Sequence, residues 1–442
     1  MPRTDTVIRS RRAVLPAGTA PACVRVSAGR IVSVGDYAAP STAPHEVDLG
    51  DTALLPGGVD VDAAVQAPGQ PLREGYVRTA SAAVRAGVTT LVASGPADPP
   101  ITGEAGLRAH LAASADAPAR IAFLGAITAA STPCDLVELR AAGVVGFACS
   151  LSDGAGADLP GIDDTRLRKA MTELAAMDVP LVAHAEDAGE LSAPEGPGLS
   201  ALLAARPARA ERRGVERLVA AARMVGTRVL VSPFTAAECA AVLAAARAMG
   251  VGVSAQTCPH YLCLPIEQVP DDSGAHACLP PLRSGANRNA LWSALLDSRD
   301  PVITQVGSGH RPGTGAAAVS WTLPALWTAA RRRGRDLADL ARWTAREPAD
   351  LLGMACRGRI APDCDADLVA FDPDAEQTVP AADPGPYAGR RLVGRVRGTW
   401  VEGEGVFGCA VPPARPQRAS VRAHGAHPQP HSEPEETGAP PR

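Results

Sequence analysis

Residues 54–100 read LLPGGVDVDAAVQAPGQPLREGYVRTASAAVRAGVTTLVASGPADPP, and this stretch decides the fold. Leu54 and Leu55 lead through Pro56-Gly57-Gly58 into Val59, Val61, Ala63 and Val65, the apolar run of a buried strand bounded by turn residues. From about Leu72 to Ala86 the apolar positions Tyr76, Val77, Ala80, Ala83 and Val84 recur at helical spacing, and Gly87 stands where a helix stops. Val88-Thr89-Thr90-Leu91-Val92 is a second strand rich in β-branched residues. Strand, helix and strand in that order predict a βαβ unit and a parallel sheet.

The alternation continues outward. Third to eighth strands are predicted at Ile121–Leu124, Val144–Ala148, Val179–His184, Arg228–Val231, Val251–Ser254 and Pro301–Thr304. Helices are expected at Glu216–Val225, Ala236–Met249, Asn289–Leu296 and Trp321–Arg332. A doubly wound open sheet is the alternative, but eight strands favour closure into a (β/α)8 TIM barrel, which takes ~250 residues and leaves room for a companion domain in a chain of 442.

That companion reads from both chain ends. Val7-Ile8, Cys23–Val26 and Gly29–Gly35 alternate like hairpin strands, and a second set follows the barrel at Asp365–Asp372 and Val396–Val401. A small β-sandwich of residues 1–56 plus 357–410 is expected around a barrel of 57–356, with a separate C-terminal domain as the alternative. Residues 411–442 are rich in Pro, Gly, His and charge with almost no large apolar side chain, so a disordered tail is expected, and His424, His427 and His431 read as part of it.

Composition bounds the function. Hydrophobic residues are 46% of the chain, charged ones 20% and aromatics 3%, with a net charge of −4, so the balance calls for neither nucleic acid nor an anionic membrane. No apolar run approaches the ~20 residues of a membrane span. Ten cysteines without a CxxC pair, and no secretory core in MPRTDTVIRSRRAVLPAG, place the chain in the cytoplasm. Lys169 is the single lysine, and its Arg-flanked helical setting predicts that it faces solvent.

The frame Pro56-Gly57, Asp60, Pro68-Gly69 and Gly87-Val88-Thr89-Thr90 resembles the cyclic amidohydrolases, the allantoinase, dihydroorotase and hydantoinase family, and allantoinase most of all. Gly358-Arg359-Ile360-Ala361-Pro362 with Asp365-Ala366-Asp367-Leu368-Val369 is similar to that family's GRIAPGADADLV. Gln256-Thr257-Cys258-Pro259-His260-Tyr261-Leu262 matches its ETCPHYL with one change, and Leu279-Pro280-Pro281-Leu282-Arg283 its APPLR. The resemblance spans about Val7 to Gly408 and implies an amidohydrolase-type barrel with a sandwich built from the two termini.

It also implies a chemistry: two metal ions at the C-terminal ends of the strands activating a hydroxide, with one carboxylate moving the proton. The family holds the metals on an HxH pair at strand one, a carbamylated lysine at strand four and one histidine each from strands five and six, and uses a strand-eight aspartate for the proton. Here those positions are Asp62, Ala64, Ala148, His184, Pro233 and Gly309, so five of six are replaced. No lysine near strand four can carry the carbamate. The substrate-contact loop MPNTxPP reads Ser94-Gly95-Pro96-Ala97-Asp98-Pro99-Pro100, and Gln66 stands where an Arg or Asn precedes the first PG.

The expectation is therefore a non-catalytic pseudoenzyme or scaffold subunit, a homo-oligomer or a partner of a metabolic enzyme, with no cofactor and with Asp62 and His184 as vestigial metal positions. The alternative is an active hydrolase of cyclic amide C–N bonds, of an allantoin-like ureide, through an altered or mononuclear zinc site. Asp62, His184, Glu186, Cys258, His260 and His310 are the groups such a site would draw on.

Overall fold

A computed structural model describes residues 5–408 apart from 96, 154–159, 298–299 and 314–315. The chain opens with β1 (Thr6–Leu15), β2 (Gly18–Ser27), β3 (Arg30–Gly35), β4 (His45–Asp48) and β5 (Ala53–Pro56). β1, β2 and β3 are antiparallel neighbours, while β4 and β5 run parallel to β1. Eight strands then follow in strict spatial order, β6 (Gly58–Ala63), β7 (Val88–Ala93), β8 (Arg120–Ala126), β9 (Gly146–Ser150), β10 (Leu181–His184), β11 (Val229–Val231), β12 (Val253–Thr257) and β13 (Ile303–Val306), each parallel to the next.

The curl closes through the ends of its outer strands. Ala64 N–H donates to the His310 carbonyl at 3.0 Å and Ser308 N–H to Asp60 Oδ1 at 2.7 Å, joining the first strand to the segment after the eighth. This is the (β/α)8 barrel, and the open doubly wound sheet is excluded. β14 (Leu368–Thr378), β15 (Arg391–Val401) and β16 (Glu404–Phe407) return to the first sheet, where β14 lies antiparallel to β5 with Leu368 opposite Pro56. Both chain ends thus share one eight-stranded sheet. The separate C-terminal domain is ruled out.

The turn Pro56-Gly57-Gly58 joins sheet to barrel and explains its glycine: a Cβ on Gly57 would lie 2.1 Å from Thr89 Oγ1. Beside it Arg120, at the start of β8, pairs with Asp365, with Asp367 (3.1 Å) and with Glu402. The junction is held by charge as well as by strand pairing.

Helix Leu72–Arg85 buries Tyr76, Thr79, Ala80, Ala83 and Val84. Each large apolar side chain so buried stabilises by ~1.5–3 kcal/mol. Val77, expected in that stripe, is exposed. Thr79 takes its place because its hydroxyl can donate to the Val65 carbonyl. The barrel lumen is apolar at its lower end, where Val59, Val61, Val92, Ala122, Leu124, Ala148, Val182 and Leu230 cluster. Helix Glu347–Leu351 closes that end, with Ala349 and Leu352 in the same cluster and the Leu351 carbonyl accepting from Arg228 ahead of β11.

Several boundaries differ from the sequence reading. β12 and β13 run to Thr257 and Val306, past the expected Ser254 and Thr304, because Gln256 and Gln305 are buried side by side in register although polar. The helix expected from Glu216 begins at Ala208, since its first turns, ARAERR, carry too little apolar surface to register as amphipathic. Lys169 is exposed, as predicted. No helix among the described residues is long and apolar enough to cross a membrane. The tail, 411–442, with its three histidines, lies outside the described residues.

Candidate active site

The C-terminal ends of the barrel strands carry the positions singled out above. In β6 the register breaks between Val61 and Ala63, leaving Asp62 as the extra residue of a β-bulge. Its φ is +68°, a left-handed conformation that costs a non-glycine residue on the order of 1–2 kcal/mol. The bulge takes Ala63 out of the lumen set of Val59 and Val61 and packs it on Ala80 and Ala83 instead, so the apolar alternation expected through Val65 fails here.

What holds Asp62 in that conformation is an arginine. Arg311, three residues beyond Ser308, donates from Nη1 to the Asp62 carbonyl at 2.7 Å and from Nη2 to Asp62 Oδ1 at 3.0 Å. The Ser94 hydroxyl donates to the same oxygen, and Ser232 Oγ donates to Oδ2 at 3.0 Å. Gln256 extends the network, its Nε2 donating to Ser232 Oγ (3.0 Å) and, across the barrel, to the Val61 carbonyl (2.8 Å). One carboxylate thus ties together the ends of β6, β7 and β11 and the segment after β13.

The other positions are equally committed. Ala148 sits in the apolar lumen cluster, so the lysine position is lined by hydrocarbon. Ala64 contributes its main-chain N–H to barrel closure. Gly309 has φ +61°, and a Cβ there would come within 2.6 Å of Cys258 Sγ and 2.8 Å of His260 Cε1, so the aspartate position is physically filled. Gln66 braces its own loop, donating to the Gln70 carbonyl and accepting from Asp98 N–H. Pro96 lies outside the described residues.

His184, at the end of β10, bonds through Nε2 to Glu186 Oε2 at 2.8 Å. Glu186 is completely buried and also accepts from Arg206 Nε at 3.1 Å. Burial alone would raise the Glu186 pKa, yet hydrogen bonds and charge from His184 and Arg206 outweigh it and the shift is downward. Glu211 on helix Ala208–Val225 is buried in the same way, accepting from the main-chain N–H of Thr235 (2.6 Å) and Ala236 (2.9 Å), with Arg283 at 3.6 Å. Among the described residues no three His, Cys, Asp or Glu side chains lie close enough together to hold a metal ion.

Of the remaining polar groups, the Cys258 thiol is a poor nucleophile and the His260 and His310 imidazoles are poor bases. Burial pushes the Cys258 thiol well above its ordinary range, reinforced by the nearby Asp60. Burial brings His260 and His310 down to about 3, so both are neutral, and each leaves Nδ1 without a partner. Asp60 is raised to about 6, mainly by burial, against the bonds from Ser308. Its Oδ2 has no hydrogen-bond partner.

Sequence reasoning named Asp62 but missed Ser94, Ser232, Gln256 and Arg311, which surround or extend from it. A signal existed. Ser94 and Gln256 fall on two departures from the motifs quoted above, at the first residue of MPNTxPP and the first of ETCPHYL, and Arg311 lies two residues after Gly309.

A closed parallel barrel carrying a sheet from both termini, with its polar residues gathered at the C-terminal mouth, defines the amidohydrolase class. The chain belongs to the amidohydrolase family, whose model matches residues 52–406. It is 38% identical to the allantoinase of Streptomyces avermitilis across 92% of this chain and 96% of that one. It is 31% identical to the allantoinase of Rubrobacter xylanophilus across 91% and 94%. Among solved structures the L-hydantoinase (dihydropyrimidinase) of Arthrobacter aurescens superposes with a TM-score of 0.83 at 23% identity, over 91% of this chain and 96% of that one, a likeness of fold.

Proposed function

We propose that this chain is a non-catalytic, allantoinase-like member of the amidohydrolase family that acts as a scaffold subunit, in a homo-oligomer or with a metabolic enzyme, in the cytoplasm. The observation that carries this reading is the Arg311–Asp62 pair: a guanidinium, fixed by the carbonyl and carboxylate of one residue, engages the carboxylate that stands at a strand-one metal position. The donors present do not fit a binuclear centre. Asp62 is engaged by Arg311, His184 Nε2 by Glu186, and Ala148 offers no ligand atom. A catalytic zinc site takes about three protein ligands. The cysteines of the described residues are all free, in keeping with a reducing compartment.

Elemental analysis of protein prepared with zinc and bicarbonate, alongside assays on allantoin, dihydroorotate and hydantoin, tests the reading. Metal far below one ion per chain and no turnover are expected; near two ions per chain, or turnover abolished by His184→Ala, would overturn it. The scaffold role is tested by light scattering and by pull-downs from the host: a monomer that recovers no metabolic enzyme removes it.

A second reading, a hydrolase of an allantoin-like ureide through an altered site, draws on the 38% identity over 92% of the chain and on Asp60, a buried carboxyl near pKa 6 with one unpartnered oxygen. Its mark would be turnover that survives chelation, changes with pH near 6 and disappears in Asp60→Asn.

A further inference from the structure

On the flank of the barrel, helix Gly285–Leu296, the C-terminal end of helix Thr322–Arg331 and the start of β15 enclose a cavity of ≈ 490 Å³. Five arginines line it: Arg288, Arg332, Arg333, Arg390 and Arg391. Arg391 is paired with Glu376 at 2.6 Å. The other four have no carboxylate within ion-pair distance among the described residues. Arg288 reaches only the neutral Asn289 Oδ1, and Arg333 donates to the Ala329 carbonyl while lying 4.4 Å above the Trp292 ring centroid. Tyr387 also lines the cavity, and its buried hydroxyl has no hydrogen-bond partner.

Guanidiniums gathered in this way repel one another. Two like charges ~8 Å apart near a protein surface oppose each other by up to ~2 kcal/mol, and no acidic side chain among the described lining residues offsets it. The consequence is visible at Arg333, whose pKa is lowered by burial and then by Arg288 and Arg332. The chain as a whole carries a net charge of −4, so the cluster is a local feature and not part of a basic surface.

We infer that this cavity binds a small anion bearing two or more phosphate groups. Guanidinium forks match phosphate oxygens in bidentate pairs, and four unpaired guanidiniums balance the charge of a di- or triphosphate. The volume falls within the ~300–1,000 Å³ of small-molecule sites, too large for orthophosphate alone. The walls come from the barrel helices and from the sheet strand β15, so a bound polyphosphate bridges the two. This inference is independent of whether the barrel mouth is catalytic.

Calorimetric titration of the full chain with inorganic triphosphate in magnesium-free buffer at physiological salt tests it, with ATP, orthophosphate and a 20-nucleotide RNA as parallel probes. Triphosphate is expected to bind in the micromolar range and orthophosphate at least about tenfold more weakly. ATP binding tighter than triphosphate assigns a nucleotide, and equal binding assigns the oligophosphate alone; both support the site. The double variant Arg332→Ala, Arg390→Ala, which breaks no ion pair, is expected to weaken triphosphate at least about tenfold with an unchanged melting temperature. Absence of binding at millimolar triphosphate, affinity unchanged in the double variant, or RNA bound more tightly than triphosphate overturns it.

Discussion

The rim of the barrel has two arcs that treat buried charge in opposite ways. Around β10, β11 and β12, Glu186 keeps His184 and Arg206, and Glu211 keeps Thr235, Ala236 and Arg283. Around β6, β9 and the segment after β13 the strand ends hold Ala64, Ala148 and Gly309, and Asp62 is paired with Arg311. The first arc is locked by desolvation, because removing one member of a buried pair strands the other at a cost of ~3–5 kcal/mol. In the second arc the buried Asp62 carboxylate is paired with Arg311.

The largest expected effect tests the first arc. Arg206→Ala leaves Glu186 buried with His184 as its remaining side-chain hydrogen-bond partner and is predicted to lower unfolding free energy by ~3–5 kcal/mol in denaturant titrations. A loss below ~1 kcal/mol would mean that the two arcs do not differ in kind.

Next comes Asp60, between the arcs in environment. Its pKa is about 6 in the fold against an ordinary 3.8, so between those values the folded chain holds a proton that the unfolded chain has released. Stability therefore falls as pH rises through that window, by up to ~3 kcal/mol for this group, and the penalty is absent below it. His260 and His310, held near 3 against 6.5, act with the opposite sign, stability rising as pH climbs from 3 to 6.5. The difference between Asp60→Asn and the parent isolates the carboxyl: the variant's advantage in melting temperature is predicted to be small at pH 4 and to grow to its full value by pH 7. An advantage that does not change with pH would contradict the assignment.

The smallest effect sharpens the second arc. Arg311→Ala is expected to destabilise by ~2 kcal/mol, Asp62→Ala by less, and the double variant to recover ~1–2 kcal/mol of the sum, since the two single changes remove one and the same ion pair. Additivity in that cycle would show that Arg311 stands beside Asp62 without compensating it.

Much of this architecture is legible in the chain. Eight strands were readable because alternation and β-branched runs report local burial; β12 and β13 outrun their expected ends where buried polar side chains, Gln256 and Gln305, break the apolar signal, and β8 and β9 each run two residues past the expected Leu124 and Ala148. The joining of the two termini followed from motif likeness around Ile360 and Leu368, and the pairing of Leu368 with Pro56 gives it a physical form. The site was half legible. That Ala64, Ala148, Pro233 and Gly309 stand near the strand ends was readable, whereas the packing of Cys258 and His260 around Gly309 was not, since it depends on how two loops meet.

The sequence by itself determined the barrel, the two-ended sheet and the single lysine, because periodicity, turn residues and composition act through neighbours in the chain. Only the tertiary structure decided what surrounds Asp62. Arg311 meets Asp62 across 249 residues because closure of β13 against β6 brings them together, and a bulge that flips one side chain decides which face Asp62 presents. The arginine cavity is of the same kind. Arg288, Arg332, Arg333 and Arg390 are unremarkable in an arginine-rich chain until helix packing against β15 places them around one volume. Charge is a property of residues, but its compensation is a property of distance, and distance is set by the fold.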